Sequence, residues 1–281
     1  MLNSLNIGLS GLEQFQQEIS VIGNNVANIS TTGYKSGRVM FADSFSQTLQ
    51  SSSGGSGVAS NTPSVQVGTG VATAAIQNAF TQGPVSATEE PSHLAIKGNG
   101  FFVVRDPLTN AEYLTRAGDF RLDSAGRLVT SSGMRVQGYT DSGLSTMGDL
   151  VVDATGAPAG ATGGVNSYSF DAQGKLTVKL SDNTTFVRGQ VLMQHVTDPQ
   201  ALFKEGGNLY SGQANAGALA APAAAGTNGL GTIQGYALEG SNVDLSAELT
   251  GLISTQRAFQ ASSRLITTTD DLMQEIVNLK R

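Results

Sequence analysis

The chain has 281 residues, with 16 lysines and arginines against 22 aspartates and glutamates, which gives a formal net charge of −6. It has no cysteine and only two histidines, which excludes disulfides, thiolate metal sites and a cysteine nucleophile and argues against a histidine-rich zinc site. The acidic balance excludes the basic footprint of a nucleic-acid-binding protein. Only 14% of the residues are charged, so we expect a largely neutral surface that copies of the same protein can cover.

The first 30 residues carry apolar side chains at spacings of three and four, which is the period of an α-helix. The residues of this stripe that we expect at an assembly interface are Leu5, Leu12, Phe15, Ile19, Ile22 and Val26. The helix is predicted to end before Gly33, which can take a left-handed cap. The opening residues lack the basic and apolar regions of a secretory signal, and no run of about 18 apolar residues occurs. We therefore expect neither a cleaved signal nor a membrane-spanning helix.

The middle of the chain reads as short strands separated by turns, a pattern typical of an all-β sandwich or barrel. The predicted strands are 93–97, 101–104, 112–115, 119–122, 127–130, 134–139, 168–171, 176–180 and 186–195. Two similar turns, at 123–126 and 171–174, begin with aspartate and end with glycine, and both are predicted to close hairpins. One carboxylate per turn is too few for a calcium site.

The last 41 residues predict a second, longer helix with a seven-residue repeat. The first column of this repeat, also expected at the interface, is Leu245, Leu252, Phe259, Ile266 and Met273, and the second is Leu265, Leu272 and Leu279. Residues 241–244 are predicted to cap its start. Repeats at both ends predict that the terminal helices pair as a coiled coil. The alternative is that each is an ordinary amphipathic helix on the chain's own core.

These elements predict an α+β fold, in which paired terminal helices flank a central all-β domain of short antiparallel strands. The expected divisions are an inner helical domain at 1–40 and 235–281, an extended linker at 41–90, and a β-domain at 91–234. Three segments rich in Gly, Ser or Ala, at 51–57, 155–164 and 211–231, are expected to be flexible loops.

No catalytic, cofactor or metal site is predicted. The segment Gly98-Asn99-Gly100 lacks the third glycine of a dinucleotide loop and precedes a strand rather than a helix. The acidic pairs 89–90 and 270–271 are each adjacent in sequence, so they are interpreted as solvated charges. His93 and His195 stand at strand ends and are interpreted as surface or packing residues.

Three parts of the chain resemble the bacterial flagellar rod and hook proteins. Residues 23–35 resemble that family's N-terminal signature; the residues that carry the likeness are Asn24, Asn25, Asn28, Gly33, Tyr34 and Lys35. Residues 237–245 and 255–261 look like the start of the family's C-terminal helix, and 98–104 and 115–120 look like its β-domain. The resemblance covers most of the chain.

The resemblance implies a structural subunit of the flagellar axial tube, whose paired terminal helices line an export channel. Its expected partners are further copies of itself in a helical polymer, neighbouring axial and junction proteins, and the type III export apparatus, with no nucleic acid and no membrane insertion. Its expected location is the bacterial flagellum, outside the cytoplasm, after export without a cleaved signal. The chain looks most like a short hook protein, with a distal or proximal rod protein as the alternative.

Polar residues on the terminal helices are candidates for the channel face, with an ordinary solvent face as the alternative interpretation. They are Asn3, Asn6, Gln14, Gln17, Asn24, Gln256 and Ser263. Two other protein classes fit less well. A secreted carbohydrate-binding or hydrolytic β-protein requires an aromatic cleft with paired acids, and a coiled-coil adaptor requires charged flanking positions, yet the first 30 residues carry only Glu13 and Glu18.

Overall fold

The structure is a computed structural model that describes residues 2–52, 63–158, 161, 163–218 and 221–279. Parts of the three segments predicted to be flexible lie outside these residues, namely 53–57, 159–160, 162 and 219–220. In the described ranges, helices α1 (Leu2–Ala27) and α2 (Leu245–Leu279) flank a region of strands. This arrangement confirms the predicted α+β class. Neither helix is long and apolar enough to cross a membrane.

The strands are short, and every pairing between them is antiparallel. Their bounds are β1 (Gly37–Asp43), β2 (Ser46–Gln50), β3 (Val65–Gly68), β4 (Val71–Asn78), β5 (Val85–Ala87), β6 (Leu94–Lys97), β7 (Phe101–Arg105), β8 (Glu112–Thr115), β9 (Arg121–Leu122), β10 (Leu128–Val129), β11 (Arg135–Tyr139), β12 (Met147–Asp149), β13 (Val165–Phe170), β14 (Lys175–Leu180), β15 (Thr185–Gln194), β16 (Phe203–Gly206), β17 (Leu209–Ser211), β18 (Ala223–Ala224), β19 (Thr232–Gly235) and β20 (Ala237–Glu239). A short 3₁₀ helix, Pro199–Ala201, precedes β16.

The chain divides into two compact units. The first unit comprises residues 1–27, 37–79 and 244–281, and the second comprises 28–36 and 80–243. The segment 41–90, predicted to be an extended linker, carries β2 to β5 in paired form, with β2 on β3, β4 on β1, and β5 on β20.

In the first unit, α1 and α2 run antiparallel. A Cβ added at Gly8 would lie 2.9 Å from Ile266 Cγ1, and one added at Gly251 would lie 3.6 Å from Ile22 Cδ1, so positions advance on one helix as they recede on the other. Strands β1 and β4 form a ribbon that lies on α1. The Phe15 and Phe41 rings meet edge to face at 6.4 Å.

The second unit is built on a sheet with the strand path β13-β14-β15-β11-β7-β8-β17-β16, to which β9, β10, β12 and β18 add at the sides. Because successive side chains of a strand point to opposite faces, this sheet supports two apolar clusters. The larger cluster is centred on Phe102, Phe120 and Leu176, and the smaller on Phe101, Leu114 and Tyr210.

The two aspartate-to-glycine turns are confirmed as hairpin closures. Asp123 Oδ1 accepts hydrogen bonds from the N–H groups of residues 125 and 127, and Asp171 Oδ1 accepts from those of residues 173 and 175. Gly126 and Gly174 take φ values of 75° and 78°, which a residue with a Cβ adopts only with strain.

The start of α2 differs from the prediction that residues 241–244 form a capping box. The helix begins at Leu245, and Asp244 Oδ1 accepts from the N–H of Ser246 at 2.9 Å and of Ala247 at 3.4 Å. Asp244 is therefore the N-cap, while Asn242 bonds to the backbone N–H of Ser36. The prediction read the cap three residues too early, because serine and aspartate are both good N-cap residues.

Candidate functional site: the helix pair and the buried motif

The predicted interface stripes lie on the facing sides of α1 and α2, which we call the helix pair. Ile22 is buried, Leu245 is exposed, and the other residues of the stripes are partly buried; these are Leu5, Leu12, Phe15, Ile19, Val26, Leu252, Phe259, Ile266 and Met273. A single copy of the chain thus covers much of both stripes by itself. The first column of the α2 repeat belongs mainly to contacts inside the subunit.

The second column of the repeat has a different environment. Leu265, Leu272 and Leu279 are 45%, 54% and 86% exposed. Further exposed apolar residues on α2 are Leu249, Ile253, Ile276 and Val277. Large apolar side chains that recur on one helix are typical of a contact surface for another molecule. The sequence shows this second column, although the predicted interface names only the first.

Small residues allow the two helices to approach closely. Gly8 and Gly11 are buried where α1 meets α2, and a Cβ at Gly11 would lie 3.4 Å from Ser262 Oγ. Gly23, by contrast, has no heavy atom within 4 Å of an added Cβ. Gly8 and Gly11 therefore serve packing, whereas Gly23 has no packing neighbour that excludes a side chain.

Asn25, a motif residue, fastens the end of α1. Its side chain is 1% exposed; the Nδ2 donates to Gly37 O at 2.8 Å and to Glu248 Oε1 at 3.0 Å, and the Oδ1 accepts from Gly37 N at 2.9 Å. One amide thereby joins α1 to both β1 and α2. Partial burial raises the pKa of Glu248, against the lowering effect of the bond from Asn25.

Two residues predicted as candidates for the channel face have another role in this structure. Thr73 on β4 donates to Gln14 Oε1, and it lies 2.8 Å from Gln17 Oε1. Gln14 and Gln17 therefore face the ribbon within the first unit. Their hydrogen-bonding capacity matched an open polar face equally well, and periodicity alone gave no sign of β4.

The other motif residues lie in the second unit. Gly33 has φ 68°, its N–H donates to Glu239 O at 2.8 Å, and an added Cβ would lie 2.6 Å from Ala117 N. The position accepts only glycine on both counts. Asn28 Oδ1 accepts from the Thr31 hydroxyl at 3.1 Å, and Tyr34 is buried with Lys204 Nζ 4.5 Å from its ring centre.

Lys35 belongs to a group that we call the buried charge cluster, formed by Lys35, Arg116 and Glu239. The side chains of Lys35 and Glu239 are 0% exposed and that of Arg116 is 4% exposed. Lys35 Nζ lies 2.6 Å from Glu239 Oε1, and Arg116 Nη1 lies 3.2 Å from Glu239 Oε2. Two cations therefore share one carboxylate with no access to water.

Further hydrogen bonds complete the cluster. Lys35 Nζ donates to Thr81 O at 2.8 Å, Gly83 N donates to Glu239 Oε1 at 3.0 Å, and Arg116 Nη2 donates to Gly98 O at 2.8 Å. Burial lowers the pKa of Lys35, although the bond and charge of Glu239 oppose that shift. Burial also lowers the pKa of Arg116. The sequence points to Lys35 as a motif residue but gives no indication of its partners.

The geometry of the second unit offers fastening rather than chemistry. Over the described residues, no group of three or more His, Asp or Glu side chains is arranged to hold a metal ion. The charged side chains at the centre of the motif are bonded to each other and to backbone groups. This arrangement holds the 28–36 loop against β20 and the turn at Arg116.

Comparisons with known families match three parts of the chain. Residues 5–35 match the family described as "Flagella basal body rod protein", 95–178 match "Flagellar hook protein FlgE/F/G D1 domain", and 234–279 match "Flagellar basal body rod FlgEFG protein C-terminal". A full-length relative, the "Flagellar basal-body rod protein FlgG" of Bacillus subtilis, is 37% identical over 281 residues and covers 100% of both chains. The chain belongs to the flagellar rod and hook protein family. The buried motif and the helix pair are therefore parts of a flagellar family fold.

Further relatives differ in how much of the chain they match. FlgG of Caulobacter vibrioides is 34% identical over 287 residues, covering 99% of this chain and 100% of the relative. The "Flagellar hook protein FlgE" of Borreliella burgdorferi is 42% identical over 140 residues, covering 50% of this chain and 31% of the relative. A crystal structure of the Helicobacter pylori hook protein FlgE2 aligns at 13% identity with a TM-score of 0.23, covering 64% of this chain and 47% of that one, a likeness too low to bear on the fold. The expectation of a short hook protein is thus less well supported than its alternative, a rod protein.

Proposed function

We propose that this chain is the distal rod subunit of the flagellar basal body, which assembles head to tail into a tube through its terminal helices. The role is structural and involves no catalysis. Its partners in this role are further copies of itself, the neighbouring axial and junction proteins and the export apparatus. Its place is the flagellum, outside the cytoplasm.

Chain length supports the rod over the hook. The relatives named as rod proteins align from end to end with this chain, whereas the hook relative extends well beyond the matched region. The hook protein's similarity is strong only over half of this chain. A chain of this length therefore has the full extent of a rod protein.

The observation that carries the assembly proposal is the exposed second column of α2. Leu265, Leu272 and Leu279 stand seven residues apart, so they share one side of the helix. Burial of apolar surface contributes about 25 cal/mol per Å². A neighbouring copy that covers this column gains that free energy, and a contact between two different surfaces continues indefinitely as a helical filament.

The helix pair is proposed to be a coiled coil. The heptad spacing of the first α2 column, its partial burial and the close approach at Gly8 support this interpretation. Pairing within the subunit leaves the second column outward, which separates the residues that fold one copy from those that join copies.

A charge placed in the second column tests this proposal. We expect Leu272→Asp to abolish polymerisation of the purified protein while the circular dichroism of the monomer stays unchanged, because Leu272 is already exposed in one copy. Thr268→Asp is the matched control, since Thr268 is exposed on the same helix, one turn away. Phe259→Asp is a less selective variant, because Phe259 is partly buried within the subunit. Equal polymerisation of Leu272→Asp and Thr268→Asp would exclude the second column as the assembly surface.

Electron microscopy of the assembled tubes separates the two family roles. A rod is stiff, so straight tubes are expected. Curved, bending tubes would instead favour the hook, and a protein that stays monomeric at high concentration would contradict both roles.

A further inference from the structure

An arginine row crosses the main sheet of the second unit. Arg105 on β7 pairs in register with Arg135 on β11, Arg135 with Val129 on β10, and Val129 with Arg121 on β9. Residues directly opposite one another in antiparallel strands share a face of the sheet. Three arginines therefore stand in line on one face, and Arg127 follows on the turn that joins β9 to β10.

Two of these arginines have their charge satisfied within the subunit. Asp149 lies 2.5 Å from Arg105 Nη2 and 2.8 Å from Arg135 Nη1, and it accepts from Gln137 Nε2 at 2.8 Å. Partial burial opposes ionisation of Asp149, but these three bonds outweigh it and lower its pKa. Asp149 is thus fully used by the row.

Arg121 and Arg127 have no such partner: over the described residues, neither makes an ion pair. Asp123, between them in sequence, directs its carboxylate to backbone N–H groups of its own turn. Glu112 is opposite Arg105 at the far end of the row. The β9–β10 hairpin therefore presents two unpaired guanidinium groups.

Most acids of the second unit are already engaged. Seven aspartates accept backbone N–H bonds within their own turns; they are Asp106, Asp123, Asp141, Asp153, Asp171, Asp182 and Asp198. Glu239 is in the buried charge cluster, and Glu205 accepts from the Ser211 hydroxyl. Asp119 is partly buried in a bridge with His93.

Glu89 and Glu90 are the exception. Both are exposed, and neither makes a hydrogen bond through its carboxylate or an ion pair in the described part of the chain. Their loop is held at both ends, since Thr88 N donates to Tyr236 O at 2.7 Å and the His93 ring nitrogen lies 3.1 Å from the Thr88 hydroxyl. A fixed loop therefore projects two adjacent carboxylates, which we call the glutamate loop.

We propose that the β9–β10 hairpin, with Arg121 and Arg127, binds the glutamate loop of a second copy of this chain. The proposal rests on the proposed tube function and names one lateral contact within it. Charge complementarity favours a second copy as the occupant, because the chain presents two unpaired cations on one element and two unpaired anions on another. The two surfaces differ, so the contact does not close on itself and repeats from copy to copy.

Charge reversal on the full-length protein tests the contact. The first variant is Arg121→Glu with Arg127→Glu, and the second is Glu89→Arg with Glu90→Arg. Each is expected to raise the protein concentration needed for assembly by about tenfold or more at low salt, since like charges then face each other. The difference is expected to shrink at high salt, where the Debye length falls to about 3 Å.

Mixing the two reversed variants is the decisive arm. In the mixture, each acidic hairpin meets an arginine loop and each arginine hairpin meets a glutamate loop, so co-assembly is expected to return to near the wild-type concentration. The control is Lys97→Glu with Lys179→Glu, two exposed lysines whose reversal changes the net charge equally. The neutral variant Arg121→Gln with Arg127→Gln replaces the first variant if circular dichroism shows that the reversed hairpin is unfolded.

The outcomes distinguish this contact from the proposed function. If the wild-type protein does not polymerise, both fall together. If it polymerises and the reversed variants assemble as the lysine control does, the contact is wrong while the tube function stands. If each reversed variant fails alone and the mixture also fails, the hairpin binds a surface other than the glutamate loop, and the proposal is overturned.

Discussion

Lys35 Nζ lies 2.6 Å from Glu239 Oε1, and neither side chain has any solvent exposure. The carboxylate also faces Arg116, so it offsets two positive charges. Ionised groups without water are stable only when paired and hydrogen-bonded. The three members of the buried charge cluster therefore do not contribute equally to stability.

Removing the shared carboxylate is expected to be far more damaging than removing one cation. Glu239→Gln leaves Lys35 and Arg116 buried without a counter-charge, and we expect a loss of about 3–5 kcal/mol in the free energy of unfolding. Lys35→Met leaves the carboxylate bonded to Arg116 and to the Gly83 N–H, so a loss of about 1–2 kcal/mol is expected. Urea unfolding of both variants measures the two values, and equal losses would contradict the sharing of one carboxylate.

The lowered pKa of Lys35 predicts a stability that rises with pH. An unfolded lysine titrates near pH 10.4. Folded Lys35 titrates lower, because burial disfavours its charge, so between the two pKa values the unfolded state binds more protons. Stability therefore increases as pH rises through that window, and it declines as pH falls through the folded pKa.

Two other groups act on the same measurement. Burial lowers the pKa of Lys204 as well, so it adds in the same direction. Burial raises the pKa of Tyr210, which reduces stability above about pH 10, where an unfolded tyrosine ionises. Urea unfolding across the alkaline range below about pH 10 is expected to show a smaller rise in Lys35→Met than in the wild type. The same rise in both proteins would show that Lys35 is not its source.

Asn25 is expected to be the most sensitive polar side chain of the helix pair. Asn25→Ala leaves both backbone groups of Gly37 without their partner, and the cost of such buried unpaired groups is about 1–3 kcal/mol each. The control is Ser20→Ala, whose exposed hydroxyl bonds only to Gln16 O in its own helix and whose loss is expected to cost less than about 0.5 kcal/mol. Thermal unfolding compares the two, and a similar Tm shift for both would argue against the fastening role.

Two glycines of α1 predict opposite effects of added side chains. Gly8→Leu places atoms where Ile266 already lies, and overpacking of this kind costs about 1–3 kcal/mol. Gly23→Ala enters open space and gains about 0.5–1 kcal/mol from better helix propensity. The helical circular dichroism signal, followed during heating, measures both, and a stabilised Gly8→Leu would show that close helix approach is not required.

Local pattern predicted the elements well. The three-and-four spacing identified α1 to within two residues of its observed end, and the seven-residue columns identified α2. The aspartate-to-glycine turns were predictable for a local reason, since a short carboxylate bonds the backbone two to four residues ahead. Each of these features depends on residues that are close in sequence.

Long-range partners were not predictable in the same way. Strand β5 pairs with β20 and β6 with β19, and neither pairing has a signal in periodicity. The polar faces of Gln14 and Gln17 looked open until β4 was seen to cover them. Glu239 appears in the sequence as an isolated acid, because its two cations come from distant parts of the chain.

The separation of Lys35 from Glu239 by 204 residues sets a timetable for the newly made protein. During synthesis the motif loop emerges early, yet its counter-charge is translated only near the end. The helix pair meets the same constraint, since Asn25 and Glu248 are 223 residues apart. Both units therefore remain unfinished on the ribosome until the final helix is made, and a truncated product has neither its buried lysine neutralised nor its first helix covered.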